Sequence, residues 1–217
     1  TGVQTCALPI FPDLIMQREY TNNTYNPYNC PIYPHHFPIK SIYRKQYQEK
    51  EYDVCFIGAP TNHRRELFVT KILELANGSL NHLKWFIQYN SNRNHEEFVK
   101  NLNKSKIALN YPGNSYDAHR IWEACSAKCC IIQPDLPLKS VTKQHMFFNS
   151  YIKIRNDCSD LKQKIEYALD GDRYKDWAQE AYDCYNNFHT PEKCFEKYHE
   201  IVLNHCRNIQ KKKVNPI

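Results

Sequence analysis

Hydrophobic positions follow a regular pattern from residue 53 to about residue 208. Short apolar runs predict buried strands, and they alternate with longer segments whose apolar residues recur at helical spacing. Strands are predicted at residues 54–57, 83–89, 106–111, 129–132 and 151–154. Helices are predicted at residues 64–76, 96–104, 117–127, 159–169, 172–188 and 191–208.

Turn and cap residues support these boundaries. Asn77-Gly78 ends the first helix, and Thr190-Pro191-Glu192 begins the last one with a hydroxyl cap and a proline in the first turn. Strands that alternate with helices predict a Rossmann-like α/β domain with a parallel sheet. Ligands bind such sheets beyond the carboxyl ends of the strands. The segments expected to carry function are therefore residues 58–65, 111–120 and 133–138.

The segments on either side of residues 51–208 have a different character. Residues 11–50 are rich in Tyr, Asn, Pro and His, which predicts an extended connection, either a linker or the remnant of an N-terminal domain. Residues 209–217 form a basic tail. Residues 1–10, TGVQTCALPI, resemble a translated sequencing-library adapter and are set aside. We therefore expect the natural protein to extend further toward its N-terminus.

Composition narrows the class of protein. Hydrophobic residues make up 41% of the 217 residues, enough for a sizeable core, and no apolar run is long enough to cross a membrane. The formal charge is +6, but part of it comes from Lys211, Lys212 and Lys213, and both signs are mixed elsewhere. This mixing does not favour specific nucleic-acid binding, although the lysine run alone could attract nucleic acid nonspecifically. A mildly basic chain also suits a phosphate-bearing small molecule.

The ten cysteines do not follow a disulfide or zinc pattern. Four lie inside apolar runs, where a free thiol behaves as a small hydrophobic group: Cys55, Cys125, Cys129 and Cys130. The series Cys184, His189, Cys194, His199, Cys206 is spaced mostly by five residues, which places successive residues about 140° apart on a helix. A zinc site in this series is therefore not expected, and no other metal or cofactor is predicted. A reducing, cytoplasmic location is the prediction.

The segment after the first strand carries candidate anion-binding groups. Gly58 would let a ligand approach the backbone, and the following helix presents free N–H groups at its start. Arg64 and Arg65 would add bidentate donors for a phosphate. The alternative is a plain strand-to-helix turn with solvated arginines.

The segment after the third strand leads into a helix that carries Glu123. A carboxylate there could accept hydrogen bonds from sugar or ribose hydroxyls. Arg120 lies three residues earlier on the same helix face, so the two could equally form a surface ion pair worth a few tenths of a kcal/mol. From the residues alone, the ion pair is the favoured interpretation.

The run SKIALNYPG…DAHRIWEACSAKCCIIQPDLPL resembles the C-terminal, donor-binding domain of GT-B glycosyltransferases (group 1 type), and especially the CgeB-like group. Upstream, DVCFIG resembles the opening strand of that domain. Downstream, NFHTPEKCFEKYHEIV resembles its closing His-Thr and final helix. The resemblance extends from about Tyr52 to Leu203 and rests on the order of the three motifs.

The resemblance implies a nucleotide-sugar site. Gly58, Arg64 and Arg65 match the diphosphate-contacting region, and Glu123 matches the glutamate that contacts ribose or sugar. Residues from Gly113 to Arg120 match the loop beside the donor sugar, and the binding candidates in and just before it are Tyr111, Gly113, Asp117 and Arg120. From its residue type alone, His119 is a candidate acid or base near the donor, and the alternative is a solvated loop histidine.

Two positions depart from the pattern of the family. Ser115 stands where many members have a second glutamate, which puts the sugar-side contact in doubt. Lys128 stands where the turn after the helix usually has glycine, so the turn could differ in shape.

The expected function is transfer of a sugar from a UDP- or GDP-sugar to an unidentified glycan, protein or small-molecule acceptor. This fragment alone is expected to be inactive, because the acceptor site and the catalytic base would lie in a missing N-terminal half. The alternatives are an exostosin-like glycosyltransferase and a non-catalytic nucleotide- or carbohydrate-binding domain.

Overall fold

A computed structural model describes residues 7–11, 14–18, 32–35, 49–89, 95–113, 119–135 and 150–214. Its strands are β1 (Ala7–Phe11), β2 (Leu14–Arg18), β3 (Ile32–His35), β4 (Tyr52–Ile57), β5 (Trp85–Gln88), β6 (Ser105–Leu109), β7 (Cys130–Pro134) and β8 (Ile152–Ile154). Its α-helices are α1 (His63–Asn77), α2 (His95–Asn103), α3 (His119–Ser126), α4 (Leu161–Leu169), α5 (Tyr174–Cys184) and α6 (Pro191–Val214).

Five parallel strands form the central sheet, in the order β5-β4-β6-β7-β8. These are the five strands that the hydrophobic pattern predicts, each within a few residues of its predicted bounds. Connections in such a sheet are right-handed, so a helix that steps from β4 to β5 and one that steps from β6 to β7 cover opposite faces. The predicted α/β class with a parallel sheet and flanking helices is confirmed.

Side chains on each strand alternate between two cores. Val54 and Phe56 pack in the core that includes α1 and α4, whereas Cys55 and Ile57 pack in the core that includes α2 and α3. All four side chains are buried. Burial on both faces explains why the strand appears in the sequence as a continuous apolar run and not as an alternating one.

The cysteines that lie in apolar runs are core residues, as predicted. Cys55, Cys125, Cys129 and Cys130 are buried and free. Burial raises the pKa of the Cys55 thiol to about 12, so this thiol is protonated and inert at neutral pH. Among the described residues, no group of three or more His, Cys, Asp or Glu side chains is placed to hold a metal ion.

Three segments differ from the sequence-based boundaries. The helix predicted at 172–188 is α5 followed by a π-helical turn over Tyr185–His189. The final helix continues past residue 208 to Val214, because no glycine or proline interrupts residues 192–214. Residues 209–214 of the predicted basic tail are therefore helical.

The N-terminal strands form a separate small sheet, in the order β1-β2-β3. Strand β1 pairs with β2 in an antiparallel arrangement, and β2 pairs with β3 in a parallel one. Strands β2 and β3 lie within residues 11–50, which the sequence predicts to be extended and outside the main core. The structure describes only these short strands and residues 49–50 within that segment, and the strand pairing was not indicated by the proline-rich sequence.

The turn after α3 keeps its left-handed shape although it lacks glycine. Lys128 has φ 53°, its N–H donates to the carbonyl of Cys125 at 3.0 Å, and the N–H of Cys129 donates to the carbonyl of Ala124 at 3.0 Å. This pair of hydrogen bonds is a Schellman motif, whose left-handed residue is usually glycine. The expectation that lysine could change the shape of the turn is wrong.

Because Lys128 keeps the left-handed conformation, replacing it by glycine tests the strain directly. A non-glycine residue with positive φ costs roughly 1 kcal/mol. We expect Lys128→Gly to have a free energy of unfolding about 1 kcal/mol above that of Lys128→Ala, measured by urea unfolding. Alanine is the matched control because both changes remove the contact of the Lys128 ammonium with the Tyr182 ring, 5.7 Å away. Equal stability of the two variants would contradict a strained turn.

Candidate functional site

The site begins where two neighbouring parallel strands separate. The pairing of β4 with β6 extends as far as Cys55 and Ala108, whereas β4 continues beside β5 to Ile57 and Gln88. The chain reverses its direction of progress across the sheet at this point, since β4 leads to β5 on one side and β6 leads to β7 on the other. Such a topological switch point opens a crevice at the carboxyl ends of the strands, where ligands of α/β proteins bind.

Backbone hydrogen bonds of the residues that follow β4 and β6 lead away from the crevice. The N–H of Gly58, directly after β4, donates to the carbonyl of Gln88 at 2.9 Å. The N–H of Asn110, directly after β6, donates to the carbonyl of Ile132 at 3.0 Å. The two strand ends are therefore bonded to opposite neighbours, and the loops that follow them form the two walls of the crevice.

Asn62 connects the two walls. Its Oδ1 accepts from the N–H of Arg65 at 2.9 Å and caps the N-terminus of α1. Its Nδ2 donates to the carbonyl of Gly113 at 2.8 Å, across the crevice. One side chain thus fixes the start of α1 relative to the loop after β6.

Arg65 lies between the two glycines of the site. It is 9% exposed, which is unusual for an arginine. A Cβ atom on Gly58 would lie 3.1 Å from Nη2 of Arg65, and a Cβ on Gly113 would lie 2.8 Å from Nη1. The guanidinium therefore occupies the space that side chains at these two positions would need, which explains glycine at both.

Tyr111 attaches the loop after β6 to the core and to the loop after β8. Its ring stacks on Phe68 with 4.8 Å between centroids, and its hydroxyl donates to the carbonyl of Asn156 at 3.1 Å. The residue is buried. Tyr111 thus has its ring in the core and its hydroxyl bonded to the loop after β8.

Arg120 and Glu123 form an ion pair on α3. Nε of Arg120 lies 3.3 Å from Oε2 of Glu123, with 20% and 11% of the side chains exposed. The Arg120 guanidinium also lies 4.2 Å above the ring of Phe98 on α2. The ion pair expected from the spacing is therefore present, but it is largely buried and does not lie on the surface.

Three further predicted site residues are Arg64, Asp117 and His119. Arg64 is exposed, in the first turn of α1. Asp117 lies outside the described residues, as does Ser115. His119 is the first residue of α3. The structure thus brings together Gly58, Arg65 and Gly113, and these carry the anion-binding prediction.

Three side chains at this edge of the sheet were not predicted from the sequence: Asn62, Asn110 and Gln133. Asn62 was passed over, although asparagine before a helix start is a known N-cap signal. Asn110 follows β6 directly, and Gln133 lies near the end of β7. Both are buried, and Nδ2 of Asn110 donates to Oε1 of Gln133 at 2.6 Å. No sequence signal pairs these two, because their contact depends on the alignment of neighbouring strands.

Electrostatically, the crevice suits an anion. A buried guanidinium lies at the N-terminal end of a 15-residue helix, whose dipole presents partial positive charge. The glycines on both walls leave room for the guanidinium between them. Guanidinium groups bind phosphate oxygens in a bidentate manner, so a phosphate is the anion that this arrangement recognises best.

Comparison with known families decides the classification. The sequence profile of the glycosyl transferase-like family matches residues 53–200, which is more than half of the chain. The chain belongs to the glycosyl transferase-like family. The matched range begins in β4 and ends within α6, so it contains all five strands of the central sheet. No curated protein matches the chain significantly.

Solved structures share the fold of this glycosyl transferase-like chain. A point mutant of the Staphylococcus aureus protein TarM, in complex with fondaparinux, α-GlcNAc-glycerol and UDP, is 14% identical over 82% of the chain, with a TM-score of 0.55. The pneumococcal O-GlcNAc transferase GtfA, in complex with UDP and GlcNAc, is 14% identical over 83% of the chain, with a TM-score of 0.50. The chain spans 40% and 41% of those two proteins. At this identity the likeness shows the fold alone.

Among the described residues, no helix is both long enough and apolar enough to cross a lipid bilayer. The sequence likewise contains no long apolar run. Both observations agree.

Proposed function

We propose that this chain binds a nucleotide-sugar donor and that the whole protein transfers the sugar to an acceptor. The observation that carries the proposal is the buried guanidinium of Arg65 between Gly58 and Gly113, at the switch point of the sheet. Membership of the glycosyl transferase-like family supplies the reaction class, and two proteins of the same fold are described in complex with UDP.

In this proposal the diphosphate occupies the crevice between the two loops. Arg65 donates to the phosphate oxygens from its place between Gly58 and Gly113, and the N-terminus of α1 adds partial positive charge. Glu123 contacts a ribose or sugar hydroxyl, with Arg120 holding its carboxylate in place. UDP and GDP sugars are the proposed donors, and no metal or cofactor is invoked. The CgeB-like group remains our assignment within the family.

A calorimetric titration with UDP, GDP and uridine tests this proposal. We expect at least one nucleoside diphosphate to bind saturably, more tightly than uridine, with affinity that falls as the NaCl concentration rises, because salt screens phosphate contacts. Uridine is the matched control because it keeps the base and ribose of UDP and lacks the phosphates. If neither UDP nor GDP binds, or if uridine binds as tightly as UDP, the proposal is wrong.

A non-catalytic nucleotide- or carbohydrate-binding domain is the second candidate. The observation that favours it is Ser115, which stands where the second glutamate of many related enzymes is found. A turnover assay on the whole protein separates the two functions. Release of UDP or GDP from a nucleotide sugar in the presence of acceptors supports the transferase, and saturable binding without release supports the binding domain.

A further inference from the structure

The hydrogen bonds of Asn62 serve two separate purposes. The contact of Oδ1 with the N–H of Arg65, at 2.9 Å, is an ordinary helix cap. The contact of Nδ2 with the carbonyl of Gly113, at 2.8 Å, contributes nothing to α1 and joins residues 51 positions apart in the chain. A helix cap alone would be served equally well by serine, threonine or aspartate, none of which carries an amide donor.

The bond from Asn62 to Gly113 lies where β4 and β6 separate. At Gly58 and Asn110, the backbone bonds of the two strand ends lead to β5 and β7, away from each other. The loops then lead to helices on opposite faces of the sheet. The bond from Asn62 to Gly113 crosses the gap that the diverging strands leave open.

Asn62 and Arg65 together close a ring of contacts. The N–H of Arg65 is bound to Asn62, and Asn62 is bound to the carbonyl of Gly113. The guanidinium of the same Arg65 lies against Gly113, with Nη1 2.8 Å from where its Cβ would be. The position of the guanidinium is therefore linked, through Asn62, to the loop that forms the other wall of the crevice.

We infer that Asn62 is a positioning residue for the diphosphate site. It holds the loops after β4 and β6 at a fixed separation, so that Arg65 and the backbone of Gly113 face one diphosphate together. Preorganised donors bind an anion more tightly because less ordering occurs on binding. This inference rests on the proposed function for its ligand and on the two hydrogen bonds for its geometry.

The test separates the cap from the bond across the crevice. Asn62→Ser keeps an uncharged N-cap oxygen but loses the amide donor, and its side chain is too short to reach Gly113. Asn62→Ala loses both functions. The matched control is Thr190→Ala, which removes the cap of α6, where Oγ1 of Thr190 accepts from the N–H of Lys193 at 3.3 Å. The measurements are UDP affinity by calorimetry, the urea midpoint of unfolding, and hydrogen exchange of the loop amides.

We expect Asn62→Ser to bind UDP roughly tenfold more weakly than the parent, as for one hydrogen bond, while its urea midpoint stays close to that of the parent. Amides of Gly58 and Gly113 should exchange faster in this variant. Asn62→Ala should show the same losses with a lower midpoint. Thr190→Ala should show a lower midpoint with unchanged UDP affinity and unchanged exchange in the two loops.

Parental UDP affinity and parental loop exchange in Asn62→Ser would overturn the inference while leaving the proposed function intact. Failure of the parent itself to bind UDP and GDP would instead reject the proposed function and the diphosphate role. Loop exchange in the free protein would then still decide whether Asn62 holds the two loops together. An equal loss of affinity in Thr190→Ala would show that the effect of Asn62 is a general loss of stability.

Discussion

Replacing Arg65 by methionine is expected to weaken binding of UDP by about 100-fold. Methionine keeps an unbranched apolar stem but removes the guanidinium that lies between Gly58 and Gly113. Hydrogen bonds to a charged group are worth about 1.5–3 kcal/mol, and 100-fold corresponds to about 2.7 kcal/mol. The measurement is isothermal titration calorimetry at constant ionic strength. Arg65→Lys should recover part of the loss, since it restores the charge without the planar fork.

Arg173→Met is the matched control for this change. Arg173 is an exposed arginine that pairs with Asp170 after the end of α4. Helix α4 starts after the carboxyl end of β8 and runs back along the sheet, so Arg173 lies toward the opposite edge from the crevice. We expect its replacement to leave UDP affinity unchanged. Parental affinity in Arg65→Met, with a folded variant by near-ultraviolet circular dichroism, would remove Arg65 from the site.

Replacing Glu123 by alanine is expected to lower the free energy of unfolding by about 3 kcal/mol. The change leaves Arg120 without its carboxylate at a position where only 20% of its side chain is exposed. Removing one partner of a buried pair costs more than the pair itself contributes, because the remaining buried charge loses its nearby counter-charge. Urea unfolding measures the loss, and replacing Arg120 by methionine in the same chain should restore part of the stability.

An exposed pair on another helix provides the comparison. Lys162 and Glu166 lie 3.8 Å apart on α4, and about half of each side chain is exposed. We expect Glu166→Ala to change the free energy of unfolding by no more than about 0.5 kcal/mol, as for surface pairs generally. Equal effects of Glu123→Ala and Glu166→Ala would show that the pair on α3 is a surface pair, as the sequence alone suggested. Parental affinity for a nucleotide sugar in Glu123→Ala would remove Glu123 from the donor site.

The elements of the central domain were predictable because each has a local signal. Continuous apolar runs mark strands that are buried on both faces, and the glycine and proline positions mark where they end. The parallel arrangement follows from the alternation of these strands with helices. Since loops after parallel strands lie at one edge of the sheet, the sequence was enough to place Gly58, Arg65 and Gly113 at the same edge, and the strand order then brings them together.

Contacts that depend on side-chain direction were not predictable. The sequence presents Arg64 and Arg65 as equivalent, yet one is exposed and the other is buried, because successive helix positions differ by about 100°. The bond from Asn62 to Gly113 depends on where two separate loops come to lie. The Arg120 guanidinium lies against the Phe98 ring of another helix. Each of these is a tertiary contact without a sequence pattern of its own.

At Lys128 a local preference predicted the wrong shape for the turn. The absence of glycine suggested a turn of different shape, but the two hydrogen bonds of the Schellman motif hold lysine at φ 53°. Tertiary packing of α3 and β7 outweighs a local cost of roughly 1 kcal/mol. The preference of lysine for negative φ therefore located the strained residue correctly, but it did not predict that Lys128 adopts the left-handed conformation.

The central claim is that a nucleoside diphosphate binds in the crevice between the loops that follow β4 and β6. An NMR titration of the isotopically labelled chain with UDP, and with GDP in parallel, tests it most directly. We predict saturable shifts of the backbone amides of Gly58, Arg65 and Gly113 and of the Arg65 guanidinium, with little change at the amino ends of the strands. Saturable shifts confined to other parts of the chain, or none with either nucleotide, would contradict it.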